Sequence, residues 1–233
     1  MDSPPESFKT YKFSYDEQLS RARWFKEDLE KGGWNVAHKD ERSTFWVKVI
    51  PEHDISINVL YEYKMPLSAE NFSKVFSPKS MKDRAKWDRA WLDIKLLETY
   101  PDGGGHVAAL RSKFSAPFSD RDFVVFFPPE KEIDWYGKRA IYNGTVHATH
   151  PSKPANVGGV VRATNGGNIY IAIPDEKDPE NACTLFGLSC NDYHARLPTF
   201  VWAKILSRKL PRTFIDSFEG MVDGYNNYVA PAK

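Results

Sequence analysis

The closing segment, Leu197 to Tyr228, limits what this chain can fold into more than any other. Phe200, Ala203, Ser207, Leu210, Phe214, Phe218, Met221 and Tyr225 recur every three or four residues, the spacing that lines one side of an α-helix. Pro198 suits a first helical turn, where its missing N–H is not needed. Pro211 falls inside the run and is expected to kink it or split it into two packed pieces. At 1.5 Å per residue the element would be on the order of 45 Å long. Nothing else in the chain reads as a long amphipathic helix, and most of the rest reads as strands. Such a helix has to bury its apolar stripe against a sheet. Whether the space between them is filled or hollow is then the functional question.

The preceding residues supply that sheet. Ser14 and Glu17 have the form of a capping box, followed by Leu19, Ala22, Phe25 and Leu29 on one helical face and a Gly32-Gly33 stop. Strands are predicted over Trp34 to Ala37, Thr44 to Ile50 and Ile55 to Tyr63. In the last, Ile55, Ile57, Val59, Tyr61 and Tyr63 alternate with Ser56, Asn58, Leu60 and Glu62, the period of a half-buried strand. Short helical stretches run from Ser68 through Trp87, restarting at Pro78. Further strands are predicted over Ile94 to Tyr100, His106 to Phe114, Phe123 to Phe127, Arg139 to Thr149, Val160 to Ala163, Ile169 to Ile173 and Ala182 to Ser189. Turn residues separate them at Pro101 to Gly105, Asn165-Gly166-Gly167 and Pro174-Asp175-Glu176. The order predicts an α+β domain with a largely antiparallel sheet whose concave face one helix has to itself. Residues 1–13 read as a tail and 14–233 as a single domain.

Composition excludes several classes. Lys and Arg number 32 against 31 Asp and Glu, without the basic excess that nucleic-acid partners demand. No uncharged run approaches the ~18 residues of a membrane span, and the first residues do not form a signal peptide. Cys183 and Cys190 fall on opposite faces of one strand-like run, roughly 20 Å apart, too far for a disulfide. A cytoplasmic chain with reduced thiols is expected. His147 and His150 lack a nearby third ligand, so no metal is called for, and no cofactor motif is present. His147 either points into a cavity or is a satisfied core histidine.

Four motifs then occur in one order: Arg84-Ala85-Lys86-Trp87-Asp88, Ser119 to Val124, His147 to Pro151 followed by Gly159 to Arg162, and Leu197-Pro198-x-Phe200-Val201 with Leu210-Pro211-x-x-Phe214. Together they resemble the START (StAR-related lipid-transfer) domains over roughly Trp34 to Tyr228. The resemblance implies a helix-grip fold: a curved antiparallel sheet of about nine strands around the C-terminal helix, with an internal apolar cavity for one lipid. It also implies that this helix and its neighbouring loops gate the cavity. Pro211, Gly220 and Gly224 are compatible with a movable element.

A carrier of this kind needs no catalytic groups. An acyl chain of ~16 carbons exposes more than ~10 kcal/mol of hydrophobic free energy to water, and a cavity removes that cost. Phe200, Leu210, Phe214, Phe218 and Met221 are the expected lining. Lys204, Arg208 and Arg212 step by four and form a basic strip suited to transient contact with anionic membrane surfaces. As a surface pair, Arg84 and Asp88 would contribute only a few tenths of a kcal/mol. In the phosphatidylcholine-binding branch that the motif resembles, the corresponding residues meet phosphate and quaternary ammonium. Arg84 would then supply a fork of donors, Asp88 the negative partner, and Trp87 or Trp91 an aromatic face. The sterol-binding branch carries an acid and an arginine on adjacent central strands. Here those strands read Ala108-Ala109-Leu110 and Phe123 to Phe127, which argues against that site and leaves a more apolar tunnel, suited to acyl chains or a carotenoid-like isoprenoid. Arg121-Asp122 reads as an ion pair fixing the start of a strand.

Three function classes follow: a monomeric, membrane-peripheral lipid carrier, phospholipid favoured; a sensor using the same pocket; and a helix-grip enzyme. Against the last, the sequence has no Gly-x-Ser-x-Gly elbow, no P-loop and no metal-spaced His/Cys set.

Overall fold

The computed structural model describes residues 13–230 apart from 52, 54, 85, 89–90 and 114–117; the N-terminal tail falls almost wholly outside these. Helix α1 (Tyr15–Lys31) starts at the expected cap, where Ser14 accepts from the Glu17 N–H, and stops at Gly32, whose φ of 90° suits glycine. Three strands follow, β1 (Asn35–Lys39), β2 (Ser43–Val49) and β3 (Ile57–Met65). Helix α2 (Ala69–Phe76) is capped by Ser68, and a 3-10 turn at Pro78–Ser80 leads into the single turn α3 (Met81–Arg84). The rest of the sheet is β4 (Asp93–Thr99), β5 (His106–Ser112), β6 (Arg121–Phe127), β7 (Lys131–Trp135), β8 (Lys138–His147), β9 (Val161–Arg162), β10 (Thr164–Asn165), β11 (Asn168–Pro174) and β12 (Cys183–Asp192). Helix α4 (Thr199–Gly224) closes the chain, its end passing into a wider π turn over Tyr225–Val229.

The strands lie in the order β1-β2-β3-β12-β11-β8-β6-β5-β4, every neighbour antiparallel, and the path does not close. Three short strands join from the side: β7 on β8, β10 on β12, and β9 on β6, the last a parallel pairing. Both free margins are interrupted. The register of β1 shifts between Val36 and His38, and that of β4 between Leu96 and Glu98.

Each face of the sheet carries its own core. On the concave side Tyr61, Tyr63, Phe123, Val125 and Leu185 meet Phe72 and Phe76 of α2 and Phe218 and Met221 of α4. On the convex side Leu60, Tyr142, Ile169, Ile171 and Phe186 form a second cluster with Ala22 and Phe25 of α1. Two expectations change here. Leu60, placed by its alternation among outward residues, is fully buried because α1 covers that face. Helix α4 does not have the concave side to itself, since α2 packs there too, its Ser73 Oγ accepting from Asn143 Nδ2 of β8 at 2.9 Å.

Pro211 neither splits nor ends α4, which runs unbroken through it. One ladder bond is forfeited there, but Leu206, Pro211 itself and Phe218 are buried, so tertiary packing holds the helix where the local bond does not. Strand β7 was not expected. Its polar Lys131-Glu132-Ile133-Asp134 sequence hides it, and the Tyr136-Gly137 turn (φ 54° and 78°) that folds it onto β8 is the overlooked signal.

Arg121 and Asp122 are not paired with each other. As strand neighbours they face opposite ways. Arg121 donates to the carbonyls of Tyr193 (2.7 Å) and Ser119, while Asp122 accepts two bonds from Arg162 at 2.8 and 2.9 Å. The start of β6 is thus pinned from both faces. Cys183 and Cys190 are free thiols in opposite clusters. Burial pushes the Cys183 thiol up to about 12, so it remains protonated. Among the described residues no helix is long and apolar enough to cross a membrane, and no His/Cys/Asp/Glu group could hold a metal ion.

Candidate functional site

The concave face and α4 do not close on each other. Between them lies a cavity of about 1080 Å³, at the upper edge of the ~300–1,000 Å³ typical of small-molecule pockets. Its walls come from Phe76 at the end of α2, Leu110 of β5, Phe123 and Phe127 of β6, Tyr170 of β11, and Tyr193 just after β12. The roof is α4, through Trp202, Leu206, Leu210, Phe214, Phe218 and Met221. Alternation along each strand turns these side chains inward, while 3.6-residue periodicity aims one α4 face at them.

Leu210, Phe214, Phe218 and Met221 therefore lie where their spacing placed them. Phe218 is buried with its ring centroid 4.8 Å from that of Tyr63, and Phe214 lies 5.0 Å from Tyr61. Phe200 does not lie there. It occupies the first turn of α4 and is 76% exposed. Trp202, two residues on, takes the buried place instead.

Arg84 and Asp88 are not the surface pair their spacing alone would give. Arg84 Nε donates to Asp88 Oδ2 at 2.8 Å, with side chains only 6% and 0% exposed. Arg84 Nη1 also reaches the Phe76 carbonyl at 3.4 Å. Asp88 lies past the end of α3, in a turn where its N–H bonds back to the Arg84 carbonyl. Arg84 lines the cavity, as do Trp87 and Trp91. The Arg84 guanidinium sits over the Phe76 ring at 5.9 Å and over the Trp87 ring at 5.5 Å. Trp87 thus already serves a cation, the arginine's own. A β-carbon on Gly224 would come within 2.4 Å of Trp87 Cε2, and one on Gly220 within 2.9 Å of the Trp87 carbonyl. These two glycines, expected to loosen the end of α4, are where it seats against Trp87 most closely.

Tyr170 extends the site along β11. Its ring lies 4.8 Å from Phe76, and its hydroxyl feels the charges of Arg84 and Asp88. Burial pushes the Tyr170 and Tyr193 phenols up to about 12, so both are neutral donors. Beyond Tyr170 the floor turns polar through Asn168, Thr145, Asn165 and Asn191. Sequence reasoning missed this set, because Asn165-Gly166-Gly167 reads as turn chemistry and nothing more. His147, two residues past Thr145, is half-buried and not among the lining residues; burial first, then Arg162 and His194, lower its pKa.

The cavity reaches solvent where exposed Leu92, Lys113, Lys209 and Arg212 line it. Lys204 and Arg208 are exposed on the same half of α4, and Arg212 bonds Asp216 at 2.8 Å.

An open, curved antiparallel sheet gripping a long C-terminal helix around an internal cavity defines a helix-grip lipid-binding domain. The START domain family model matches residues 36–221; the chain belongs to that family. Solved structures with the same fold include human StAR-related lipid transfer protein 5 (17% identity, 92% of this chain and 99% of that one, TM-score 0.66). Human STARD10 superposes with 19% identity over 92% of this chain and 82% of its own, at a TM-score of 0.68. The lipid transfer and protein localization domain of human StarD13 (DLC2) shares 19% identity, over 96% of this chain and 100% of that one, at 0.58. At these identities the likeness is one of fold. No curated protein sequence matches.

Proposed function

We propose that this protein is a non-catalytic carrier of a single lipid, a zwitterionic phospholipid, which it moves between membranes through a passage roofed by α4. The observation that carries the reading is the buried Arg84 guanidinium, backed by Asp88, in the wall of a cavity that mixes aromatic and polar side chains. A phosphate in the cavity would accept from the Arg84 fork. Asp88, which also accepts from Ser217 Oγ at 3.5 Å, would hold the guanidinium in place behind it. With Trp87 engaged by Arg84 and by α4, Trp91 in the same wall offers an aromatic face to a quaternary ammonium. A ligand without charges leaves the pair as it is and gains nothing from it.

Membrane contact is assigned to the N-terminal half of α4. Exposed Phe200 and Leu92 can enter the interfacial region while Lys204, Arg208 and Lys209 face anionic headgroups, each contributing about 1 kcal/mol near the surface.

The test pairs native mass spectrometry with transfer between vesicles. The wild-type chain is expected to take up one phosphatidylcholine. The double variant Arg84→Met, Asp88→Leu removes both charges without orphaning either, so it should stay folded. Its transfer should fall by roughly 10- to 100-fold, the worth of one or two charge-assisted hydrogen bonds. Unchanged transfer by the folded double variant would remove the headgroup assignment. A coloured or sterol-loaded preparation would point to the isoprenoid alternative.

A further inference from the structure

The polar floor beyond Tyr170 is not used by a headgroup seated at Arg84 and Asp88, yet its hydrogen-bonding capacity has a definite sign. Asn168 of β11 and Thr145 of β8 are direct cross-strand partners on the concave face, and both line the cavity. The Asn168 carboxamide is fixed in orientation, because its Oδ1 accepts from the Cys190 N–H at 3.1 Å. Its Nδ2 has no partner among the described residues, so a donor is left at the cavity. Thr145 is set in the same sense. Asn165 Nδ2 donates to Thr145 Oγ1 at 2.9 Å, and Asn165 is itself held by the N–H groups of Gly167 (2.8 Å) and Asn168 (3.3 Å). With its oxygen accepting, the Thr145 hydroxyl keeps its proton to give. Two adjacent side chains thus offer donors, next along the floor from Tyr170 and the arginine pair.

We infer that Asn168 and Thr145 hold the acyl carbonyl oxygens of the bound lipid, making them specificity-determining residues for ester-linked over ether-linked chains. This rests on the reading of the cavity as a phospholipid site, and it explains a feature that reading leaves idle. A diacyl phospholipid carries two carbonyls just inboard of its phosphate, both acceptors and neither a donor. An ether-linked analogue of the same length has the same headgroup and chains but no carbonyl. It would leave both donors unpaired beneath the bound lipid, at the desolvation cost of each.

The experiment is competition between dioleoyl phosphatidylcholine and its di-O-octadecenyl analogue, presented in equimolar vesicles and read as bound mass by native mass spectrometry. Wild type should favour the diester by roughly two- to tenfold per hydrogen bond. Thr145→Val, of nearly the same shape, should reduce that preference, Thr145→Ser should keep it, and Thr145→Val with Asn168→Ala should bring it close to parity. Equal capture of the two lipids by wild type would overturn the inference while leaving the phospholipid reading intact. Capture of neither would overturn both. Because the wild-type comparison decides alone, a variant that fails to fold does not protect the proposal.

Discussion

Gly224→Ala tests how closely the end of α4 seats against Trp87. Gly224 has ordinary helical angles (φ −61°, ψ −43°), so on backbone grounds alanine should stabilise the helix by about 0.5–1 kcal/mol. The neighbour opposes this. A β-carbon there would lie 2.4, 2.5 and 2.7 Å from Trp87 Cε2, Cδ2 and Nε1, well inside contact distance. The indole has little freedom to retreat, being 6% exposed and topped by the Arg84 guanidinium. Overpacking of this kind costs about 1–3 kcal/mol, so the clash wins by about 1–2 kcal/mol. For a chain of this size that is a fall in Tm of roughly 2–8 °C, followed by circular dichroism. In a Trp87→Phe background the smaller ring clears the site, and the same substitution should turn neutral or stabilising, a sign reversal that a double-mutant cycle resolves. The single variant should also exchange lipid faster, since its helix no longer seats. A higher Tm for Gly224→Ala in the wild-type background would refute the close approach and the latch built on it.

Three further outcomes are expected. Arg84→Ala alone should lower stability by about 3–5 kcal/mol, because it takes from the buried Asp88 carboxylate its cationic partner at 2.8 Å; chemical denaturation measures this, and a loss below about 1 kcal/mol would mean the pair is solvated. Phe218→Ala should cost about 3–5 kcal/mol as a fully packed side chain, whereas Phe214→Ala, half-buried, should cost less stability yet reduce lipid occupancy; equal effects on both readouts would erase that distinction. Lys204→Glu with Arg208→Glu should slow transfer from anionic vesicles several-fold and leave neutral vesicles nearly unaffected, since each charge near a surface contributes about 1 kcal/mol; identical slowing on both would place the docking face elsewhere.

Periodicity made the architecture legible. The α4 stripe and the alternating runs identified the gripping helix and most of the sheet, and Leu210, Phe214, Phe218 and Met221 line the cavity as their spacing indicated. What escaped depends on tertiary partners. Leu60 looks like an outward residue until α1 is known to cover it, and Phe200 fits the stripe but is left exposed in the first turn of α4. The spacing of Arg84 and Asp88 shows that they can meet, but not that the cavity wall encloses them. Glycines mislead for the same reason. Gly220 and Gly224 read as weak helix formers, yet their missing side chains admit Trp87. Asn165 reads as part of a turn motif and Asn168 falls between that turn and the next predicted strand, and only the cross-strand register sets Asn168 beside Thr145.

The interrupted margins of the sheet bear on life with an empty hold. On the proposed function, a vessel that unloads would bare greasy surface for a moment, and two such vessels side by side would be open to knitting together through their outermost strands. At Val36–His38 and at Leu96–Glu98 the backbone falls out of step, so an approaching neighbour meets a kink where it needs an even row of donors and acceptors. These irregularities keep the borders of the open sheet from serving as a seam.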